Sequence, residues 1–210
     1  MFIAEFLTVA IVHLFAVMSP GPDFAIITRN SLIYSRKIGV YTSLGIAFGI
    51  MVHVAYSLLG IGFVISKSIL LFSVIKYIGA AYLIYIGYKS LKAKSQNKFK
   101  VEQIVQLENR LSIFSSIKIG FLTNILNPKA TLFFLALFTQ VISPTTPKFI
   151  QFLYGIEMMT ITFVWFALVS VVFSNSLIKN KIKTAQHYVE RVTGAVLIAL
   201  GIKVALSSQE

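Results

Sequence analysis

The sequence predicts an all-α integral membrane protein in which six transmembrane helices form two inverted three-helix repeats. Three observations predict it: long apolar runs joined by basic connections, two proline breaks about 108 residues apart, and further residues that recur at a similar shift. Hydrophobic residues make up 57% of the 210 residues and charged residues only 12%. This composition excludes the water-facing surface of a soluble globular enzyme.

Six segments approach the roughly 20 mostly apolar residues needed to cross a bilayer. They comprise residues 2–18, 38–65, 69–89, 113–140, 149–174 and 187–206. The second and fifth are the firmest predictions, because 38–66 and 158–178 contain no Asp, Glu, Lys or Arg. The third and sixth each contain a basic residue, Lys76 and Arg191, close enough to an end for the side chain to reach the headgroups.

The first segment is expected to remain as a helix instead of being removed as a signal peptide. Its start carries Glu5 where a signal peptide has a basic region. The stretch Ser19-Pro20-Gly21-Pro22 that follows is a poor context for cleavage. The chain is therefore expected to keep six spans.

Lys and Arg are distributed unevenly between the connections, which predicts the orientation. If the spans alternate, twelve basic residues fall on one side: Arg29, Arg36, Lys37, Lys89, Lys92, Lys94, Lys98, Lys100, Arg110, Lys179, Lys181 and Lys183. The other side has three: Lys67, Lys148 and Lys203. This places both termini outside. It divides the chain into a first repeat at 1–91, a cytoplasmic linker at 92–112 and a second repeat at 113–210.

Several function classes are excluded by what the chain lacks. The net charge is +12, but the basic residues are scattered between apolar runs and form no stripe for nucleic acid. There is no cysteine, so thiolate metal sites and thiol relays are ruled out. Neither His13 nor His53 has a second ligand at helical spacing, and no hydrolase motif is present. We expect no enzyme activity, no metal and no cofactor.

The two halves resemble each other at matching positions. Ser19-Pro20 at the end of the first span corresponds to Asn127-Pro128 in the fourth, and Lys76-Tyr77-Ile78-Gly79-Ala80 corresponds to Arg191-Val192-Thr193-Gly194-Ala195. Chance recurrence of Gly and Leu is the alternative. Three spans per repeat, an odd number, turn the second copy upside down, which is typical of secondary transporters.

The proline breaks are the predicted site. Pro20-Gly21-Pro22 and Pro128 interrupt the first and fourth spans, because proline removes a backbone donor and clashes with the preceding turn. Ser19 and Asn127 are interpreted as N-caps that start new half-helices. Two half-helix N-termini facing each other form a cradle for a carboxylate. The alternative at each position is a plain proline kink.

Charged and amide side chains near the breaks are the candidate binding groups, because such groups are costly at membrane depth. Asp23 either caps its helix or couples to protons, and Lys129 needs a partner such as Asp23 or a substrate carboxylate. Asn124 and Asn127 bind substrate or satisfy freed backbone groups. Glu157 pairs with Lys129, binds a substrate ammonium or lies near the outer interface.

Two further features are open at this stage. His53 is a proton relay or a neutral histidine hydrogen-bonded between helices, since imidazole titrates near physiological pH. Gly45 and Gly49 form a small-xxx-small pair, for which close helix packing is the favoured explanation.

These residues also carry a family resemblance. S-P-G-P-D-F at 19–24, the glycine-spaced run at 39–53, I-G-A-A-Y-L-I-Y-I-G at 78–87 and G-F-L-T-N-I-L-N-P-K-A at 120–130 together resemble the LysE/RhtB translocator family. The resemblance covers nearly the whole chain in order. It implies an exporter of amino acids in a bacterial inner membrane, driven by the proton gradient.

The sequence therefore predicts a secondary transporter that exports an amino acid or similar small zwitterion by proton antiport with alternating access. The substrate-binding candidates are Ser19, Pro20, Gly21, Pro22, Asp23, Asn124, Asn127, Pro128, Lys129 and Glu157, and the proton-coupling candidates are Asp23, His53 and Glu157. The alternatives are a non-transporting membrane subunit and an exporter of a cation or another metabolite. The expected partners are the substrate and the lipid bilayer; the chain acts alone or as a homodimer.

Overall fold

The structure is a computed structural model that describes residues 2–67, 111–143 and 145–173 continuously, with single positions between 74–92 and 191–206. Its regular structure within these residues is entirely helical. The continuous helices are α1 (Phe2–Met18), α2 (Pro22–Ile33), α3 (Arg36–Lys67), α4 (Ile113–Ile125), α5 (Pro128–Gln140) and α6 (Lys148–Phe173). The all-α prediction holds for this part of the chain.

Two of these helices have the length and composition of single spans, and the other four form two bent pairs. The stretch Arg36–Leu59 of α3 and the whole of α6 are long and apolar enough to cross a membrane, which confirms the predicted second and fifth spans. The pairs α1–α2 and α4–α5 each pass the same criterion together and bend by 58° at the break. The described residues thus provide up to four spans, two of them broken at the predicted prolines.

The first break differs from its prediction in one respect. The Ser19 amide still donates to the Phe15 carbonyl, at 3.2 Å, so Ser19 completes the last turn of α1 and does not cap a new helix. The new half-helix begins at Pro22, with Gly21 as its N-cap and no side-chain capping bond. The predicted start at Pro20 with a Ser19 cap is therefore wrong by two residues, because α1 uses Ser19 itself.

Glycines allow α3 to approach α4 at backbone distance. A Cβ on Gly45 would overlap the carbonyl of Ile117, and one on Gly120 would overlap the carbonyl of Thr42. A Cβ on Gly49 would stand 2.5 Å from Oδ1 of Asn124. The predicted packing role of the Gly45–Gly49 pair is confirmed, and Gly49 in addition makes the space in which the Asn124 side chain lies.

Two apolar clusters lie on either side of the breaks. The first apolar cluster contains Val9, Val12, Ala16, Ile50, Val54, Phe133, Phe134, Ala136, Leu137, Phe138, Ile142, Tyr154 and Met158. The second contains Ile27, Ile46, Phe166, Val169 and Phe173. Along α1–α2, α3 and α6 the chain passes from one cluster to the other at the level of the breaks. The break residues therefore lie between two apolar layers.

The predicted third and sixth spans, 69–89 and 187–206, and the linker at 92–112 lie mostly outside the described residues. The positions described within the two spans are helical and cross closely. A Cβ on Gly87 would stand 2.7 Å from the Gly194 carbonyl oxygen, and one on Gly194 would stand 2.6 Å from that of Gly87. Gly201 makes a similar approach to Ala80.

Candidate functional site

The α4–α5 break is capped by its own side chain. Oδ1 of Asn127 accepts a hydrogen bond from the Lys129 amide at 3.0 Å, and Pro128 occupies the first helical position. The predicted Asn127 N-cap is confirmed. Because Oδ1 is the acceptor in this bond, the amide orientation is fixed and Nδ2 is left as a donor directed elsewhere.

The donor of Asn127 is used on the carboxylate at the other break. Oδ2 of Asp23, the second residue of α2, accepts from Nδ2 of Asn127 at 3.0 Å and from Nδ2 of Asn124 at 2.9 Å. Its second oxygen, Oδ1, is buried and has no partner among the described residues. A carboxylate has about four acceptor positions. Asp23 is thus held firmly on one oxygen, while the other can still accept hydrogen bonds.

Lys129 reaches in the opposite direction. Its Nζ donates to the carbonyl of Ser19 at 2.8 Å and to that of Ala16 at 3.1 Å, at the end of α1. These carbonyls form the negative end of the helix dipole, where a cation is stabilised. The partner expected for Lys129 from the sequence was Asp23 or a substrate. The described residues instead supply backbone carbonyls, and the two charges form no direct ion pair there.

The two breaks are therefore joined reciprocally. The charged residue that follows Pro22 contacts the end of α4, and the charged residue that follows Pro128 contacts the end of α1. Both charges are compensated without touching each other, since amides hold the acid and carbonyls hold the base. One carboxylate oxygen of Asp23 remains available to a ligand. So does the third ammonium N–H of Lys129, because its two named bonds use only two.

A small cavity opens beside these groups. Its walls come from both breaks and from α1, α3, α5 and α6, and they are formed by His13, Ala16, Val17, Ser19, Gly21, Asp23, Phe24, Ile50, Asn124, Asn127, Lys129, Ala130, Phe133, Phe134, Thr162 and Phe166. Its volume is about 40 Å³, which is room for about three water molecules.

Comparison of the sequence with models of protein families identifies the family. The family model of the LysE type translocator matches residues 14–208. The chain belongs to the LysE-type translocator family.

Relatives of this LysE-type translocator include both named and uncharacterized membrane proteins. The chain is 35% identical over 198 residues to the uncharacterized membrane protein YrhP of Bacillus subtilis, covering 91% of this chain and 93% of the relative. It is 32% identical over 204 residues to the threonine efflux protein of Escherichia coli K12, covering 96% and 98%. No solved structure matches. The predicted family is confirmed, and the chain is a membrane transporter and not an enzyme.

The structure describes all ten predicted binding residues, and six of them line the cavity. Ser19, Gly21, Asp23, Asn124, Asn127 and Lys129 line the cavity of the translocator. Glu157 is outside this lining; it lies on α6 with Oε2 buried and without a partner among the described residues. Pro20, Pro22 and Pro128 shape the breaks and are not part of the cavity wall.

His53 is held on both sides of its ring. Nε2 lies 3.1 Å from the Asn124 carbonyl oxygen and Nδ1 lies 2.7 Å from the Tyr56 hydroxyl. Because a carbonyl only accepts, Nε2 carries the proton of a neutral ring and Nδ1 accepts from the tyrosine. His53 does not line the cavity. The bond from His53 joins α3 to Asn124 at the end of α4, and the side chain of Asn124 in turn binds Asp23.

Sequence reasoning missed three parts of the arrangement. His13, which the sequence brought up only in connection with a metal site, lines the cavity together with Thr162. Gly49 makes space for Asn124. Glu5 accepts from the Ser143 amide, the Thr146 hydroxyl and the Tyr154 hydroxyl, at 2.5, 2.8 and 3.1 Å, and so joins the start of α1 to α6 and its preceding loop. Of these three features, only Glu5 had a signal in the sequence, because a carboxylate near the start of an apolar helix needs hydrogen-bond donors.

Proposed function

We propose that this translocator exports an amino acid or a similar small zwitterion by proton antiport with alternating access. The observation that carries the proposal is the pair of opposite charges in one cavity between two broken helices. Asp23 offers an unpartnered carboxylate oxygen, and Lys129 has a third N–H besides its two carbonyl bonds. A zwitterion supplies one group of each sign.

The substrate ammonium binds Asp23 in this proposal, and the substrate carboxylate binds Lys129. Asn124 and Asn127, predicted either to bind substrate or to satisfy freed backbone groups, both donate to Asp23 and so hold its carboxylate in place. A proton on Asp23 removes the negative charge that attracts the ammonium. Proton and substrate therefore compete for one carboxylate, which is the condition that antiport requires.

Alternating access is supported by the position of the cavity. It lies between the first and second apolar clusters, and it is too small for an amino acid without separation of the surrounding helices. Opening the layer on one side while the other stays packed would expose the site to one compartment at a time. The paired 58° bends and the glycine crossing of 87 with 194 support an inverted repeat as the device that makes the two openings equivalent.

The charge distribution supports an orientation with both termini outside a bacterial inner membrane. Twelve basic residues on the side of the first, third and fifth connections, against three on the other, favour a cytoplasmic location for the richer side. The first apolar cluster then lies toward the outside and the second toward the cytoplasm. In this orientation, export begins with separation of the second cluster.

The experiment is uptake of a panel of labelled amino acids into inside-out vesicles with and without a pH gradient. We expect gradient-driven uptake in the wild type. Asp23→Asn should lose both gradient-driven uptake and most substrate exchange, because an amide neither titrates nor supplies the negative charge that attracts the ammonium. Glu157→Gln, assayed in parallel, is the matched variant with an acid outside the cavity, and it should keep coupling.

Three outcomes would contradict parts of the proposal. Loss of coupling in Glu157→Gln with coupling intact in Asp23→Asn would move the proton site to α6. Uptake of a cation or another metabolite, with none of any amino acid, would replace the substrate class. Absence of gradient-dependent flux for every compound would favour a non-transporting membrane subunit.

A further inference from the structure

The second half of α2 carries three buried polar side chains that the proposed function does not use. Thr28, Asn30 and Ser31 are at most 3% exposed and follow Ile27 of the second apolar cluster. Oγ1 of Thr28, Oδ1 of Asn30 and Oγ of Ser31 are buried and have no hydrogen-bond partner among the described residues. Buried polar atoms without partners are unfavourable, and three of them within about one helical turn indicate a place that water or a polar ligand enters.

The free acceptor of Asn30 is fixed by its neighbours. The Thr42 hydroxyl donates to the Ile38 carbonyl at 2.9 Å, so the hydroxyl oxygen of Thr42 is left as an acceptor. Asn30 therefore presents Nδ2 to this oxygen, at 3.1 Å. Turning the amide would lose that bond, so Oδ1 of Asn30 remains the atom without a partner in this part of the structure.

Three helices meet around Ser31. A Cβ on Gly39 of α3 would overlap the hydroxyl oxygen of Ser31 and would stand 2.7 Å from that of Ser170 on α6. The Ser170 hydroxyl donates within its own helix, to the Phe166 carbonyl at 2.8 Å. Two hydroxyls and a glycine thus meet where α2, α3 and α6 converge. Separation of these helices would expose polar groups there.

The polar face of α2 leads back to the cavity. Thr28 and Ser31 follow Phe24 by four and seven residues, so all three lie on one face of the helix. On α6, Ser170 lies one turn beyond Phe166. Phe24 and Phe166 both line the cavity. A continuous route therefore runs from the cavity along α2 and α6 to the junction at Ser31, about 12 Å along the axis of α2 from the level of the proposed binding site.

We propose that Thr28, Asn30 and Ser31 line the passage by which a net-neutral zwitterion reaches the cavity from the cytoplasm. This inference rests on the proposed function, in which the second apolar cluster lies toward the cytoplasm. Uncharged hydroxyl and amide groups replace water around both ends of a zwitterion without retaining either charge. The ring of Phe24 packs edge to face against Phe173, with centroids 5.7 Å apart, and closes the passage.

Cysteine labelling tests the passage in the full-length protein, because the wild-type chain contains no cysteine. Ser31→Cys and Thr28→Cys are treated in inside-out vesicles with a membrane-impermeant methanethiosulfonate reagent. Each is labelled with and without the amino-acid panel and a pH gradient of either polarity, so that every transport state is sampled. We expect both to react about tenfold faster or more than a cysteine packed away from water, because the thiolate is the reacting form.

Two serines provide matched controls. Ser116 of α4 is buried at the same level, because the contact of Thr42 with Gly120 lies one turn further along each helix, and its hydroxyl donates to the Ser112 carbonyl at 2.7 Å. Ser57 of α3 is buried without a partner among the described residues, as Ser31 is, but lies beyond Val54 of the first apolar cluster. Ser116→Cys and Ser57→Cys should both react slowly.

Two further measurements connect the labelled positions with substrate movement. Adding Phe24→Ala to Ser31→Cys should speed labelling, because it removes the ring that closes the passage. A bulky adduct on Ser31→Cys should abolish uptake, whereas treatment of Ser116→Cys should leave uptake unchanged. Each variant is first checked for wild-type elution in gel filtration, and the two passage positions are tested independently.

The outcomes separate this inference from the proposed function. Labelling of Ser31→Cys and Thr28→Cys no faster than that of Ser116→Cys in every condition, or labelling only in right-side-out vesicles, would overturn the passage. Unchanged uptake after the adduct has formed at Ser31→Cys would do the same. Gradient-driven uptake together with slow labelling would refute the passage alone. Fast labelling from the cytoplasmic face, in a protein whose wild type takes up no amino acid, would refute the proposed function alone.

Discussion

The two breaks have the same shape but differ in what stabilises them. Both bend by 58°, and both place proline first and a charged residue second in the new helix. The α4–α5 break is capped locally by Asn127, whereas the α1–α2 break has a glycine N-cap without a side-chain bond. The first break is instead held from outside, by Lys129 on its carbonyls and by two amides on Asp23.

The difference teaches how opposite charges are accommodated at two similar helix ends. A carboxylate near a helix N-terminus is favourable, so Asp23 remains at the start of its own helix. A lysine at the same position is unfavourable, and Lys129 extends its ammonium to the C-terminal end of α1 instead. Residues at the second break therefore supply the hydrogen bonds that hold the first break, where the proposed proton site lies.

Removing the charge of Lys129 should have the largest effect on transport and stability. In Lys129→Met the carbonyls of Ala16 and Ser19 lose a buried charged donor, which costs about 3 kcal/mol, and the substrate carboxylate loses its proposed partner. We expect transport to fall about 100-fold or more and the thermal unfolding temperature of the purified protein to drop. Lys118→Met, which removes an exposed lysine from α4, is the control and should change neither. Wild-type transport in Lys129→Met would show that the first break does not depend on the second.

Separating the two functions of Asn127 should have an intermediate effect. Asn127→Ala loses both the cap and a donor to Asp23, so stability should fall by about 1 kcal/mol and transport should fall several-fold. Asn127→Ser keeps a capping oxygen but has no amide for Asp23. It should recover the stability, measured by thermal unfolding, without recovering gradient-dependent uptake. Recovery of both by serine would mean that only the cap matters.

Changing the N-cap glycine should have the smallest effect. Gly21 has φ −176° and ψ −170°, an extended conformation open to any residue, and a Cβ there would lie 3.4 Å from Cδ of Lys129. Gly21→Ala should therefore transport within about twofold of the wild type, because it makes only ordinary contact. Gly49→Ala, whose Cβ would displace Asn124, is the informative comparison in the same vesicle assay. A large loss in Gly21→Ala would indicate that the first break has to change its backbone during transport.

Much of the fold could be predicted because it depends on local signals. Proline gives the break positions, Asn127 before Pro128 gives a cap, and charge-free apolar runs give the second and fifth spans. The exception was Ser19, where the sequence offers a good cap but α1 uses the residue for its own last turn. Whether a helix continues for one more bond is decided by its surroundings, which a pattern of residue types does not describe.

The sequence could predict which polar residues gather at the two breaks, but it could not predict their hydrogen-bond partners. Six of the candidate residues line the cavity, since polar groups near breaks in apolar helices have few other places to go. Their partners depend on tertiary contacts: Lys129 is held by carbonyls more than 100 positions upstream, which belong to the backbone and leave no trace in the side-chain sequence. His13 is a similar case, because the residues that bind its ring lie on α6.

The contacts between α1 and α6 have a mechanical consequence. Glu5, at the start of α1, is hydrogen-bonded to Tyr154 of α6. His13, in the middle of α1, is hydrogen-bonded to Met158 and Thr162 of α6, so the two helices are joined at two separate levels. Contacts at two heights oppose rotation of one helix against the other. If the cavity opens to admit a substrate as proposed, we expect α1 and the first half of α6 to move together relative to α3, α4 and α5.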